Sequence, residues 1–226
     1  MSARPESDAQ AHYDGLVSRY LNRPLSRPAA RALQGTPLTP NMMTAFTLLV
    51  ACVSGAMVAA GWYIAGGIFI QVVSVVDGID GELARLKGMA TKFGAVFDAV
   101  TDRYADAAML AGMTVYAVRF EEHAHAETVG VLALAGALVV SYSRARIEAS
   151  LPEALERTEE RGRGAVGAAD LIFGLGSRDV RSLIAAVGTV LGQCYWTLLI
   201  LAALTGATIA WRLLYLRIHN IGTAPV

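Results

Sequence analysis

The chain has 226 residues, 54% of them hydrophobic and only 17% charged, with a mean hydropathy of +0.45; this exceeds the apolar share of ordinary soluble domains and points to an integral membrane protein. Nineteen basic residues balance nineteen acidic ones, which excludes a global attraction to nucleic acid and makes the placement of charge more informative than its sum. Cys52 and Cys194 stand in apolar runs and match no metal spacing, which excludes a disulfide framework.

Residues 1–11 read as a disordered tail, and the first forty residues lack the short apolar core of a cleavable signal peptide. Residues 12–36 form a juxtamembrane amphipathic segment. Its stretch "YDGLVSRYLNRPLSRPAARAL" sets Arg19, Arg23, Arg27 and Arg31 among apolar residues at loose helical spacing, as suits a surface helix with arginines near lipid phosphates. Pro24 and Pro28 are expected to kink or interrupt it. "TPLTPN" is a helix entry, with Thr39 or Asn41 placed to cap the first membrane span.

Residues 37–218 carry the membrane domain, ahead of a tail at 219–226. Uncharged Met42 to Ala60 is long enough to cross a bilayer. A second apolar run goes from Gly61 to Val76; Val96 to Val118 makes a third span, apolar in its second half only, and Thr128 to Ser143 a fourth. The run from Ser182 to Ala210 is too long for one crossing and breaks at Gly192 and Gln193. The expected fold is therefore an all-α integral membrane protein with six transmembrane helices and an N-terminal amphipathic surface helix. Trp62, Trp196 and Trp211 fall near span ends, as interfacial anchors do.

Arginine and lysine fix the orientation, because short loops rich in them stay cytoplasmic. They gather before the first span, between the second and third (Arg85, Lys87, Lys92), between the fourth and fifth, and after the sixth. The opposite loops hold Arg119 alone, in "RFEEHAHAE". Both termini are thus expected in the cytoplasm of a cell with an inner membrane. The charged "EALERTEERGRG" reads as solvated cytosolic loop.

That cytosolic side also holds "DGIDGELARLKGMATKFGAVFDAVTD", which places Asp77, Asp80, Asp98 and Asp102 beside and within apolar sequence. On helices, Asp77 and Asp80 share one face and Asp98 and Asp102 another. A short loop lets the two helices pack as an antiparallel hairpin that brings the faces together. Four adjacent carboxylates conflict unless a cation intervenes. All-oxygen ligation without His or Cys nearby points to Mg²⁺ or a similar hard ion, Mn²⁺ or Ca²⁺, and four carboxylates suffice for two ions. Gly78 and Gly81 leave backbone open to a bulky or phosphorylated ligand, Ala84 keeps the face small, Arg85 offers a fork for phosphate oxygens, and Gly94 falls on the metal face. These features describe a diphosphate site. Arg144 and Arg146, with Arg178 and Arg181, form a second candidate anion pocket suited to a phosphorylated acceptor.

"DGIDGELAR", eight residues "LKGMATKF" and then "GAVFDAVTD" resembles, without departure, the CDP-alcohol phosphotransferase signature D-x2-D-G-x2-A-R-x8-G-x3-D-x3-D. The resemblance implies transfer of a substituted phosphate from a CDP-alcohol donor to an alcohol acceptor with release of CMP, dependent on Mg²⁺ or Mn²⁺. By position, Asp77, Asp80 and Asp98 look like metal ligands, and Asp102 like the catalytic base that also touches metal. Asp77, Gly81, Ala84 and Arg85 look like the CDP contacts. The stretches "DGLVSRYLNRPLSRPAARAL", "GELARLK" and "GSRDVRSLI" resemble the di-myo-inositol phosphate phosphate synthase branch, whose donor is CDP-inositol, whereas most of the family uses CDP-diacylglycerol. Inositol phosphate or another polyol phosphate is then the acceptor at Arg144, Arg146 and Arg181. The resemblance also implies membrane lipid as partner, no nucleic acid, and a homodimer. The competing class is a cation transporter using the aspartates as a pathway; it predicts acids spread across the bilayer and gives Gly81 and Arg85 no task.

Overall fold

The computed structural model describes residues 17–150 and 177–218, and the expectations for the two tails and for "EALERTEERGRG" lie outside them. A π-helical turn, Ser18–Asn22, leads into α1, Arg23–Leu33; α2 is Pro40–Ala59, α3 Tyr63–Leu86 and α4 Lys92–Tyr116, prolonged by a second π turn, Ala117–Glu121. Then come α5, Ala126–Ser150, α6, Arg178–Val190, and α7, Cys194–Ile218. No strand occurs among the described residues.

The boundaries follow local chemistry. Thr39 is extended and its hydroxyl accepts from the Met42 amide at 3.3 Å while Pro40 opens α2, so the cap falls on Thr39 rather than Asn41. Thr91 caps α4 in the same way through the Gly94 amide at 3.0 Å. Gly192, at φ +67, lies in the break that separates α6 from α7. Pro24 lies in the first turn of α1 and Pro28 inside it, yet the helix continues to Leu33. The expected interruption is therefore absent: the helix runs through Pro28, which forgoes the one i→i−4 bond its missing N–H would have made.

The helices α3 and α4 do not pack as a hairpin. Both pack instead on α2, which stands behind them, and they scarcely touch each other. The cause is a stripe of small residues on α2, where Ala51, Ser54, Gly55 and Val58 are all buried. A Cβ on Gly55 would strike the Ala108 carbonyl of α4, and one on Gly112 would strike the Gly55 backbone. On the other side Gly66 of α3 rests on Val58, and the Ser54 hydroxyl donates to the Gly66 carbonyl at 3.0 Å. Drawn to one partner, α3 and α4 become the two walls of a cleft.

Around this trio, α5 packs on α4, α6 on α3, and α7 on α5 and α6. Ile70, Val73, Met113 and Leu198 form part of the shared core. Buried Thr197, Thr205 and Thr208 satisfy their hydroxyls on carbonyls one turn back, as apolar surroundings require. Glu121 caps α7 across the bundle, its carboxylate accepting from the Cys194 and Tyr195 amides. The helix α1 lies along α3, joined by Ala30, Ile79 and Leu83, which cluster with Met43 of α2, and by the ion pairs of Arg23 and Arg27 with Glu82.

Four described helices are long and apolar enough to cross a membrane: Pro40–Ala59, Tyr63–Leu86, Ala126–Ser150 and Cys194–Ile218. Their outer faces carry exposed Phe46, Leu49, Leu132 and Leu213, which water would disfavour and lipid would accept. By contrast α4 bears Lys92, Asp98, Asp102, Arg103 and Asp106, and the 13 residues of α6 rise only about 20 Å.

Candidate active site

The cleft between α3 and α4 collects carboxylates at one end. Helical spacing sets Asp77 and Asp80 one turn apart on α3, and Asp98, Asp102 and Asp106 on successive turns of α4. Asp77, Asp98 and Asp102 each present an oxygen within 4.8 Å of the others. Asp80 stands beside this trio, 7% exposed and facing Asp98. Its Oδ2 accepts from the Thr44 hydroxyl of α2 at 2.6 Å and its Oδ1 from the Gly81 amide at 2.6 Å. The helix that holds the walls apart thus also anchors one of the acids.

The first residue of α6 enters the same space. Arg178 Nη1 reaches Asp77 Oδ2 at 2.6 Å and Asp102 Oδ1 at 3.0 Å, and its Nε reaches Asp106 Oδ1 at 3.4 Å. Arg103 lies 3.6 Å from Asp102 and 3.8 Å from Asp106, and its guanidinium also donates to the Ser141 hydroxyl. Two guanidiniums against five carboxylates leave the cleft negative, so a divalent cation is electrostatically favoured there. The donor set suits a hard ion: oxygens alone, from two helices, with the buried Asp77 Oδ1 lacking any hydrogen-bond partner.

Toward the open end of α3, Gly81 meets only Arg85 where a side chain would project, at 3.8 Å. Ala84 is half-buried, and Arg85 is exposed with its Nη2 3.2 Å from Glu82 Oε2. Gly94 faces this region from α4, its missing Cβ 3.3 Å from Asn41 Oδ1. Bare backbone and an exposed guanidinium therefore lie directly beside the acids.

The arginines expected to form one pocket divide. Arg178 is committed to the aspartates. Arg181 is buried, with its Nε unpartnered, and lines a small cavity with Asp106. Arg144 and Arg146 are exposed at the end of α5, and Arg144 and Arg181 both lie within electrostatic range of Arg212. Arg212 donates to the Val140 carbonyl at 2.6 Å and to the Ser143 hydroxyl at 2.9 Å. Sequence reasoning missed Asp106, although its place four residues after Asp102 continues the same series. It also took Arg212 as a topology marker only.

Residues 37–218 match the family model described as CDP-alcohol phosphatidyltransferase. The chain is 41% identical over 206 residues to the bifunctional IPC transferase and DIPP synthase of Rubrobacter xylanophilus, an alignment covering 90% of this chain and 43% of that protein. It therefore spans less than half the length of that relative. The fold is similar to the crystal structure of Mycobacterium tuberculosis phosphatidylinositol phosphate synthase with CDP-DAG bound, at a TM-score of 0.66 and 25% identity, covering 84% of this chain and 92% of that one. The same synthase in complex with manganese and citrate matches at a TM-score of 0.65 and 25% identity, over 83% of this chain and 87% of that one.

Proposed function

The chain belongs to the CDP-alcohol phosphatidyltransferase family, and from that premise we propose that it moves a substituted phosphate from a CDP-alcohol to a polyol phosphate such as inositol phosphate, releasing CMP. The observation that carries this reading is the meeting of Asp77, Asp98 and Asp102 oxygens within 4.8 Å, next to the open backbone of Gly81 and the exposed Arg85. The names of the relatives support it, since one is an IPC transferase and DIPP synthase and the other a phosphatidylinositol phosphate synthase.

In this reading Asp77, Asp80, Asp98 and Asp102 hold two Mg²⁺ or Mn²⁺ ions, a choice consistent with the manganese in the solved relative. Bound ions neutralise charge on the diphosphate and on the departing CMP. Gly81, Ala84 and Asp77 receive the CDP moiety, and Arg85 faces its phosphates. Asp102 accepts the proton of the acceptor hydroxyl. The freed oxygen bonds to the phosphorus distal to cytidine while the bond from that phosphorus to the CMP oxygen breaks, and the electron pair leaves with CMP.

Acceptor phosphate belongs on the other side, at Arg181 with Arg144 and Arg146. Buried Arg181 has an unpartnered Nε and lines one cavity with Asp106. Arg181→Ala is expected to raise the KM for inositol phosphate about tenfold or more, as loss of a charge-assisted hydrogen bond does, with the donor KM little changed. An unchanged acceptor KM would remove Arg181 from this role.

The membrane arrangement proposed with this activity is six spans with α1 on the surface, both termini and the aspartates in the cytoplasm, and the protein in the inner membrane as a homodimer. A transporter reading leaves Gly81 and Arg85 idle. The decisive experiment is CMP release by the purified protein in detergent with Mg²⁺. CDP-inositol and CDP-diacylglycerol serve as donors, each with inositol phosphate, glycerol phosphate and free inositol. Metal-dependent release with a phosphorylated polyol is expected; no CMP from any pairing would refute transfer.

A further inference from the structure

Beside Arg85 stands a carboxylate that the transfer chemistry leaves without a task. Glu82 follows Gly81 on α3, at a position that the signature D-x2-D-G-x2-A-R leaves open to any residue. Its side chain is only 16% exposed, and its two oxygens serve different partners. Oε1 accepts from Arg23 Nη1 and from Arg27 Nε at 3.4 Å, both on α1, whereas Oε2 lies 3.2 Å from Arg85 Nη2. One carboxylate thus joins α1 to the exposed arginine at the open end of the cleft.

An i, i+3 ion pair on an exposed helix face is weak by itself, because two long side chains must be ordered to form it. Here the acid is already ordered. Its Oε1 is held by α1, and α1 is fixed to α3 by Ala30, Ile79 and Leu83. The segment after α1 is tied down as well: Gln34 Nε2 donates to the Leu86 carbonyl at 3.3 Å, and Lys87 Nζ to the Thr36 and Leu38 carbonyls at 2.6 and 2.7 Å. Arg85 is the one long side chain left to place. Its guanidinium rests over Gly81, with Nη1 3.8 Å and Nη2 4.0 Å from the point where a Cβ would project. Glu82 engages Nη2 and so leaves Nη1 over the bare backbone.

We propose that Glu82 is a positioning residue for donor binding: held from behind by Arg23 and Arg27, it sets Arg85 over Gly81, so that the guanidinium meets the diphosphate already ordered. The α1 arginines also offset the Glu82 charge, which alone would repel the same phosphates. Seating of α1 and binding of the nucleotide are thereby coupled, and each strengthens the other. This role presupposes the transfer reading above, which puts the donor phosphates at Arg85. A carboxylate that merely stapled α1 to α3 would support stability and leave nucleotide affinity alone.

Two affinities of the full chain in detergent separate these roles: CDP by calorimetry with saturating Mg²⁺, and Mn²⁺ by electron paramagnetic resonance. Glu82→Gln is expected to weaken CDP binding about fivefold or more, with Mn²⁺ affinity held within about twofold because the aspartates are untouched. Arg23→Gln, which frees the back of Glu82, should weaken CDP about threefold or more. In an Arg85→Ala background, itself weak for CDP, neither change should cost anything further, since both act through Arg85. If melting curves show that Glu82→Gln or Arg23→Gln does not fold, Arg27→Gln at the half-exposed Arg27 carries the same cycle. CDP affinity unaltered or raised in Glu82→Gln, or a loss of equal size with and without Arg85, overturns the positioning role and leaves the transfer reading intact. CDP affinity that ignores Arg85→Ala overturns the placement of the nucleotide, and the role of Glu82 with it. The expected cycle without CMP release from any donor upholds the role and overturns transfer.

Discussion

Asp102→Asn is expected to lower CMP release about a thousandfold or more while donor affinity in the presence of Mn²⁺ stays within about threefold of wild type. The amide keeps the shape of the carboxylate but cannot take a proton from the acceptor hydroxyl. Geometry singles out Asp102 among the acids. Asp80 is held by Thr44 and Gly81, and Asp98 faces Asp80. Asp102 lies one turn farther from Gly94 and one turn short of Asp106, which shares its cavity with Arg181. It is therefore the acid between the proposed nucleotide and the proposed acceptor phosphate. Single-turnover CMP release and equilibrium dialysis of CDP-inositol, run on the same preparation, check the prediction. Donor affinity falling in step with turnover would make Asp102 chiefly a metal ligand.

The helices and the acids were legible because their signals are local. Apolar runs between turn residues marked the long helices, and four aspartates at spacings of three and four marked one face each of α3 and α4. What was not legible depends on which helices touch. The hairpin expected of α3 and α4 gave way to a cleft because Gly55, Gly66 and Gly112 let both helices fall onto α2, and no loop length encodes that preference. Likewise Arg178 and Arg181 stand three residues apart and read as equivalent, yet one turn of α6 sends the first among the aspartates and the second toward Asp106 and Arg212.

Arg178 is where this hidden layer has its largest consequence for stability. Its guanidinium bridges Asp77 on α3 and Asp102 and Asp106 on α4, the two walls that have few direct contacts. Arg178→Met removes that cation and leaves the carboxylates facing one another across the cleft. With EDTA present the variant is expected to lose about 2 kcal/mol, a value reduced from that of a fully buried pair because these side chains are about one-quarter exposed or less. That corresponds to roughly 5 °C in melting temperature for a chain of this size. Saturating Mn²⁺ should recover most of the loss, since a divalent ion supplies the charge that the arginine supplied, and binding to the folded state alone stabilises it. The variant should also bind Mn²⁺ more tightly than the wild type, whose ions must share Asp77 and Asp102 with a guanidinium. Melting curves with EDTA and with Mn²⁺, together with Mn²⁺ titration by electron paramagnetic resonance, test both halves. An equal loss of stability with and without the ion would mean that Arg178 acts by packing, and that it is no stand-in for the metal charge.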